Sequence, residues 1–285
     1  MLRLFKAFLF RLRRDLTFRI TLFIGIGMAV LMTLLYLGLQ LLLSVDGMQV
    51  KMLTGSSMLI SSLSPAQNFG IAVPINLISF TIVEFTHGTI RNKVIAGNSK
   101  GKIYASLFLS GLIFSIALMT VYASLCTLLG TIFGGFDPDD GVGVTASMSM
   151  GSHYSGQFIF RMILVAVVCY VSISSFAVFI ATLIRQIGGA IPIVLIGVLA
   201  VYLLGTIVSA MAAFDNSLDV LVQIVRWADP LYALSEQETI MDEATGKAMT
   251  YMRDDTFIAA LVNNAAYACA FFAAGFFIFR KRDIK

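Results

Sequence analysis

Charge is scarce in this chain. Asp, Glu, Lys and Arg make up 13% of its 285 residues, and 58% of the residues are hydrophobic. Soluble domains carry about twice that share of charge, so an ordinary water-soluble domain is excluded. Cysteine is also rare. Cys126, Cys169 and Cys269 all lie inside apolar runs and none has C-x-x-C spacing, so they read as small packing residues and not as a disulfide frame or thiolate metal site. There are only two histidines, His87 and His153, and no H-E-x-x-H. No phosphate-binding loop occurs: the nearest stretch, Gly97 to Lys102 (GNSKGK), has too few residues between its glycines and no following Ser or Thr. The chain by itself is therefore expected to bind neither ATP nor a metal, and to be no enzyme.

Two loop patterns offer little chemistry. Asp137, Asp139, Asp140 and Gly141 lack the alternating ligands and distal Glu of a calcium loop. Ser152, His153 and Ser155 lie close in GSHYSG with no acid placed to orient the base. Ionisable groups are also missing from the apolar runs, where only Glu84, Arg161 and Arg185 come near, each at a run's end. Proton- or sodium-driven carriers usually place carboxylates within the membrane, so this shortage speaks against a self-powered carrier.

Long apolar runs are what the chain does have. About 20 apolar residues cross the hydrocarbon core as a helix, and six segments meet or approach that length: 20–44, 58–83, 105–134, 157–184, 187–212 and 256–279. The first is too long for a signal peptide's apolar region and lacks an A-x-A-like cleavage site, so it reads as a retained helix. The second contains Pro65, Gln67, Asn68, Pro74 and Asn76. It is either broken, lining a pathway, or a kinked packing helix. The expected fold is an all-α membrane protein: one transmembrane domain over 1–285, with six spans and both termini on one side.

Basic residues are distributed unevenly across that layout. The cytoplasmic pieces would hold 15 of the 20 Lys and Arg and three of the 16 acids, a net +12, leaving −8 outside. Retention of Lys and Arg on the cytoplasmic side gives this asymmetry. The positive charge thus reports topology and contact with anionic membrane lipids, not nucleic acid. Before the first span, residues 1–19 place Leu2, Phe5, Phe8, Leu9, Leu12 and Leu16 on one helical face and Arg3, Lys6, Arg13 and Arg14 on the other, with Phe10 as a misfit. The expectation is a helix lying in the interface with its apolar face in lipid, or bracing a partner; the plain alternative is a basic topogenic flank. The long outside stretch 213–255 has helical periodicity in LDVLVQIVRWADPLYALSEQE. It would lie on or dip into the outer interface, anchored by Trp227 and Tyr232, or cap an exit path.

One polar island remains, EFTHGTIRNKVIAGNSKGKIYAS at 84–106. Glu84, His87 and Arg91 have the i, i+3, i+7 spacing of one helical face, and Gly97-Asn98 can end the helix in a left-handed cap. About ten helical residues, roughly 15 Å, would protrude, with Ile90, Val94 and Ile95 as an apolar contact surface. The island is a docking element or a solvated connector.

This island resembles the first cytoplasmic loop of bacterial ABC type-2 exporter permeases. The ending FFIFRKRDIK (276–285) resembles their C-terminus, and the basic amphipathic start resembles their elbow helix. The resemblance spans the chain. It implies the membrane subunit of an ATP-driven exporter in a bacterial plasma membrane. Two permeases, identical or homologous, would be joined to two ATPase subunits that hold the ATP and Mg. The loop 84–104 would be the coupling helix, with His87, Thr89, Ile90, Arg91, Asn92, Lys93, Val94 and Asn98 against the ATPase. Glu84 would be a hinge, pairing with a base such as Arg91. Spans one, two and five would line the pathway through Tyr36, Gln40, Asn68, Asn76 and Tyr202, for amphipathic cargo such as a peptide, antibiotic or lipid. The competing classes are an ATP-independent carrier or channel, and a sensor or assembly factor that moves nothing.

Overall fold

The computed structural model describes residues 2–14, 16–43, 53–65, 71–136, 153–212, 219–231, 234, 238–241 and 248–281. Their order is α1 (Leu2–Arg14), α2 (Leu16–Leu43), α3 (Gly55–Leu63), α4 (Ala72–Thr86), α5 (Thr89–Ile95), α6 (Lys100–Gly134), β1 (His153–Tyr154), α7 (Gly156–Ile184), α8 (Ile187–Ala212), α9 (Asp219–Ala228), β2 (Glu238–Met241), β3 (Ala248–Tyr251) and α10 (Asp254–Lys281). Helices α2, α6, α7, α8 and α10 are long and apolar enough to cross a membrane. Backbone hydrogen bonds closed within each helix are what let such segments sit in hydrocarbon. The chain is a multi-pass membrane protein.

The second expected span is not one helix. It divides into α3, nine residues, and α4, 15 residues, neither of them alone as long as a typical span. Thr54 caps α3, accepting from the Ser57 N–H while the Ser57 side chain receives the Thr54 N–H. This capping box starts the helix afresh. Pro74 sits in the first turn of α4, where its missing N–H leaves no ladder bond unmade. The N–H groups of Gly55 and Ser56 bond the carbonyls of Gly135 and Phe136, at 2.8 and 3.0 Å, and tie α3 to the end of α6.

Helix α7 is the centre of the bundle. Val165, Ala166, Cys169, Ala177, Val178 and Ala181 are fully buried, and small residues at helical spacing let α10, α4 and α6 approach closely. Hydroxyls and amides cross-link the spans: Ser174 donates to Ser115 at 2.9 Å between α7 and α6, and Thr21 donates to the Asn76 Oδ1 at 2.6 Å between α2 and α4. The elements α1 and α5 gather at one end of the bundle. The tail of α10 joins them, Phe279 meeting Phe85 and Tyr104 at 5.8 and 5.5 Å between ring centroids.

The opposite end adds a few strand residues to the all-α plan. A small sheet of order β1-β3-β2 forms there, β1 parallel and β2 antiparallel to β3. Strand β3 pairs with both, drawing the start of α7 beside the start of α10. Helix α9 packs on α8 and α10, and Pro230 after its end reaches α7. The Pro230 carbonyl accepts from Cys169 Sγ and Asn264 Nδ2, both at 2.9 Å. Cys169 stands 13 residues into α7, so this tip lies roughly 20 Å from that helix's end. Trp227 remains half exposed, at 53%. Tyr232, Asp137, Asp139, Asp140, Gly141 and Ser152 lie outside the described residues.

Candidate functional site

The α1/α5 end of the bundle holds the densest ionic arrangement among the described residues. Its centre is Glu84, wholly buried two residues before α4 ends. Lys93 Nζ lies 3.1 Å from Glu84 Oε2, and Arg11 Nη1 lies 3.0 Å from Oε1. The Arg11 contact is a charge pair without hydrogen-bond alignment. The Thr89 hydroxyl lies 2.6 Å from Oε2 and 2.8 Å from the Glu84 carbonyl. Thus one carboxylate receives contacts from α1 and α5 while standing on α4. A carboxylate so deep is tolerated because two cations and a hydroxyl replace its water.

Aromatic packing reinforces the node. Lys93 Nζ stands 3.2 Å from the centroid of Phe8, whose ring meets Phe80 edge-on at 6.4 Å. Phe8 is fully buried and Leu4 nearly so. Burial pulls the Lys93 ammonium below the ordinary lysine value of 10.5, against the opposing effect of Glu84. Desolvation of the charged form outweighs the nearby carboxylate.

Local sequence explains the geometry. After Thr86 the chain turns at His87 and Gly88, whose φ of 65° is left-handed. Glycine takes that conformation without steric cost, and it re-aims the next helix so that Lys93 returns to Glu84. Gly97, at φ 83°, ends the segment, and Asn98 Nδ2 donates to the Lys93 carbonyl at 3.1 Å. Helix α5 has seven residues, about 10 Å of rise where about 15 Å was expected.

Several expected placements are corrected by this turn. Glu84, His87 and Arg91 do not share a face, because the helix breaks between them; Glu84 is buried while His87 and Arg91 are exposed. The partners of Glu84 are Arg11 and Lys93, not Arg91. Ile90 is 1% exposed and belongs to the chain's own core, leaving Ile95, 73% exposed, as the open apolar residue of the three, with Val94 half-buried. The face of α5 turned outward is Arg91, Asn92 and Ile95, with His87 beside it, 3.5 Å from Arg11 Nη2. Thr89, Lys93 and Asn98 are half-buried and engaged within the chain. On α1, Phe8 and Leu4 pack into the bundle while Phe5 and Leu9 are half-buried, with Arg11 on the packed side; Phe10, the misfit, is exposed under Arg14 at 4.4 Å. Sequence periodicity places Phe8 on the apolar face of α1 but, counting faces on α1 alone, misses its contact with Lys93 and the role of Arg11. Their i, i+3 spacing was the available signal.

The pathway candidates do not converge on one cavity among the described residues. Asn76 is 6% exposed, its Oδ1 accepting from Thr21 and its Nδ2 donating to the Ala72 carbonyl at 2.8 Å. Gln40 Oε1 accepts from the Leu53 N–H at 3.1 Å. Tyr36 and Tyr202 are half-buried against the core. Asn68 lies outside the described residues.

A second carboxylate is buried away from this node. Asp229, from the stretch read as an outside loop, is 7% exposed at the tip that follows α9. Its Oδ1 accepts from the Leu231 N–H at 2.8 Å, and its Oδ2 lies so close to Gly205 of α8 that a side chain there would collide with it.

Fold and site together define a helical, multi-pass membrane protein with a buried ionic node at one end. No protein-family model, curated protein or solved structure matches the chain.

Proposed function

We propose that this chain is the membrane subunit of an ATP-driven exporter, a permease that docks a separate ATPase through α5. The observation that carries the reading is the node at Glu84. A two-turn helix with a basic outer face is tied by one buried carboxylate to α4 and to α1. A push on α5 is thereby transmitted to α4, the half-span that the node stands on. The missing phosphate loop calls for an external motor, and the resemblance of 84–106 and 276–285 to ABC type-2 permeases names its kind. The ATP and Mg would be held by two copies of that ATPase, and the pathway would form with a second permease. Amphipathic cargo fits apolar spans better than small ions do. The basic residues favour a cytoplasmic α1/α5 end, and the resemblance favours a bacterial plasma membrane.

Contact between α1 and α5 supports two crossings between them, α2 outward and α3 with α4 together inward, and six passages in all. The test is mild extraction of the tagged chain from its own membrane. A partner carrying G-x-x-x-x-G-K-[ST] should co-purify, and Arg91→Glu should uncouple ATP hydrolysis from export while leaving insertion intact. Full export by that variant excludes the docking role of α5.

The buried Asp229 favours a second reading, an ATP-independent carrier, because carboxylates within the membrane commonly serve coupling. Flux through liposomes holding this chain alone, abolished in Asp229→Asn, would establish it over the first.

A further inference from the structure

We propose that the cavity between the first turns of α7 and α10 binds the headgroup of a zwitterionic phospholipid, one pairing a phosphate with a primary ammonium. The cavity is about 450 Å³, and its lining includes Arg161, Arg253, Asp254 and Asp255 together with Phe158 and Met252. Both α7 and α10 begin here, and both are long and apolar enough to span a membrane. The cavity therefore lies where a spanning helix leaves the hydrocarbon, at headgroup level. Pairing of Tyr154 with Thr250 across β1 and β3 brings the two helix starts together.

The lining carries two charges of each sign. A purely anionic headgroup would meet the carboxylates, and a lone cation would meet the guanidiniums; a ligand with both signs matches the set. Arg161 is held in place: Nη1 donates to the Met252 carbonyl at 2.8 Å, Nη2 pairs with Asp254 at 2.6 Å, and its guanidinium lies 5.2 Å from the Phe257 ring. A guanidinium has five N–H donors, more than these two contacts use, and its planar fork suits phosphate oxygens. Arg253 and Asp255 form a two-point pair, 3.1 Å at each bond, with both side chains about half exposed. Asp255 Oδ1 also accepts from the Thr256 N–H at 2.9 Å, so the pair stays in place and a ligand's phosphate and ammonium add at its solvent edge: a guanidinium has five N–H donors and a carboxylate about four lone-pair sites. Asp254 is 79% exposed and accessible to an ammonium.

The helix below supplies a bed for the acyl chains. Asp254, Ile258 and Val262 are four residues apart and so share a face of α10, and Ile258 and Val262 are 54% and 53% exposed. A primary ammonium donates three hydrogen bonds to carboxylates, whereas a quaternary ammonium donates none. Phosphatidylethanolamine is thus distinguished from phosphatidylcholine by the acids, and from phosphatidylglycerol by lack of a cation in the latter. This site does not depend on the motor reading.

The test counts lipids retained by the delipidated full-length chain, using native mass spectrometry, after incubation with these three lipids bearing identical chains. Phosphatidylethanolamine should be retained about threefold or more over both others, the scale of one net hydrogen bond. That preference should vanish in Arg253→Gln and in Asp255→Asn, which alter exposed side chains and leave the Arg161–Asp254 contact whole. Equal retention of the three lipids, retention of phosphatidylglycerol above phosphatidylethanolamine, or a preference surviving both variants overturns the assignment.

Discussion

At the scale of single residues, Glu84 carries more structure than any other ionisable group described here. Its two cations are unequal. Arg11 is 36% exposed and can turn to water, whereas Lys93 is 20% exposed and pinned against Phe8. Removing one partner of a buried ion pair typically costs 3–5 kcal/mol. Solvent screening at Arg11 puts Glu84→Gln near the low end, about 3 kcal/mol, measurable by reversible unfolding in mixed micelles; a loss under 1 kcal/mol would mean the node is solvated. Lys93 adds a pH dependence. Its folded value lies below 10.5, so in the window between them the unfolded chain binds more protons and stability rises with pH. Lys93→Met should flatten that rise in thermal-unfolding midpoints taken across the window. Much of this was hidden in the sequence. Glu84 announced itself as the lone acid of a basic stretch, but its partners depend on the turn at Gly88 and on Arg11, 73 positions earlier. Spacing within one helix could register neither.

At the scale of elements, periodicity served best where a helix is long and exposed to one kind of surroundings. The five long spans were legible because their apolar runs exceed the bilayer requirement. The second span was not, because a Ser-rich start capped by Thr54 and the proline-bearing stretch after Leu63 give two short helices, and hydropathy averages them into one. On helix α1 a two-faced pattern states that one face is covered, not whether lipid or protein covers it. The burial of Asp229 was not legible for a related reason, since a loop count registers no packing. Asn76 gives a check at this scale. Asn76→Ala deletes the bond from Thr21 that joins α4 to α2 and leaves no charge stranded. Interhelical hydrogen bonds in membranes average about 0.6 kcal/mol, with a maximum of about 1.7. The variant should therefore lose about 1 kcal/mol in the same unfolding assay. If instead Asn76 lined the cargo path, transport would fall far more than stability.

At the scale of the molecule, the contacts at the α1/α5 end bear on topology independently of charge counting. Arg11 cannot pair with Glu84, nor Lys93 stand over Phe8, unless the chain has returned to its starting side after α2, α3 and α4. Phe279 against Phe85 and Tyr104 brings the last helix to the same side. In the proposed topology half-spans α3 and α4 cross together, though neither is long enough alone. Side-specific labelling can decide this. With Cys269, the one exposed cysteine, replaced by Ala, single cysteines are introduced at the exposed positions Arg91, Lys281 and Asp255. A membrane-impermeant maleimide applied to intact cells should label Asp255→Cys at once. Arg91→Cys and Lys281→Cys should react only after permeabilisation. Labelling of Arg91→Cys from outside while Lys281→Cys stays protected would mean that α3 and α4 turn back within one leaflet. The Glu84 node could not then exist in the membrane, and the docking role of α5 would fall with it.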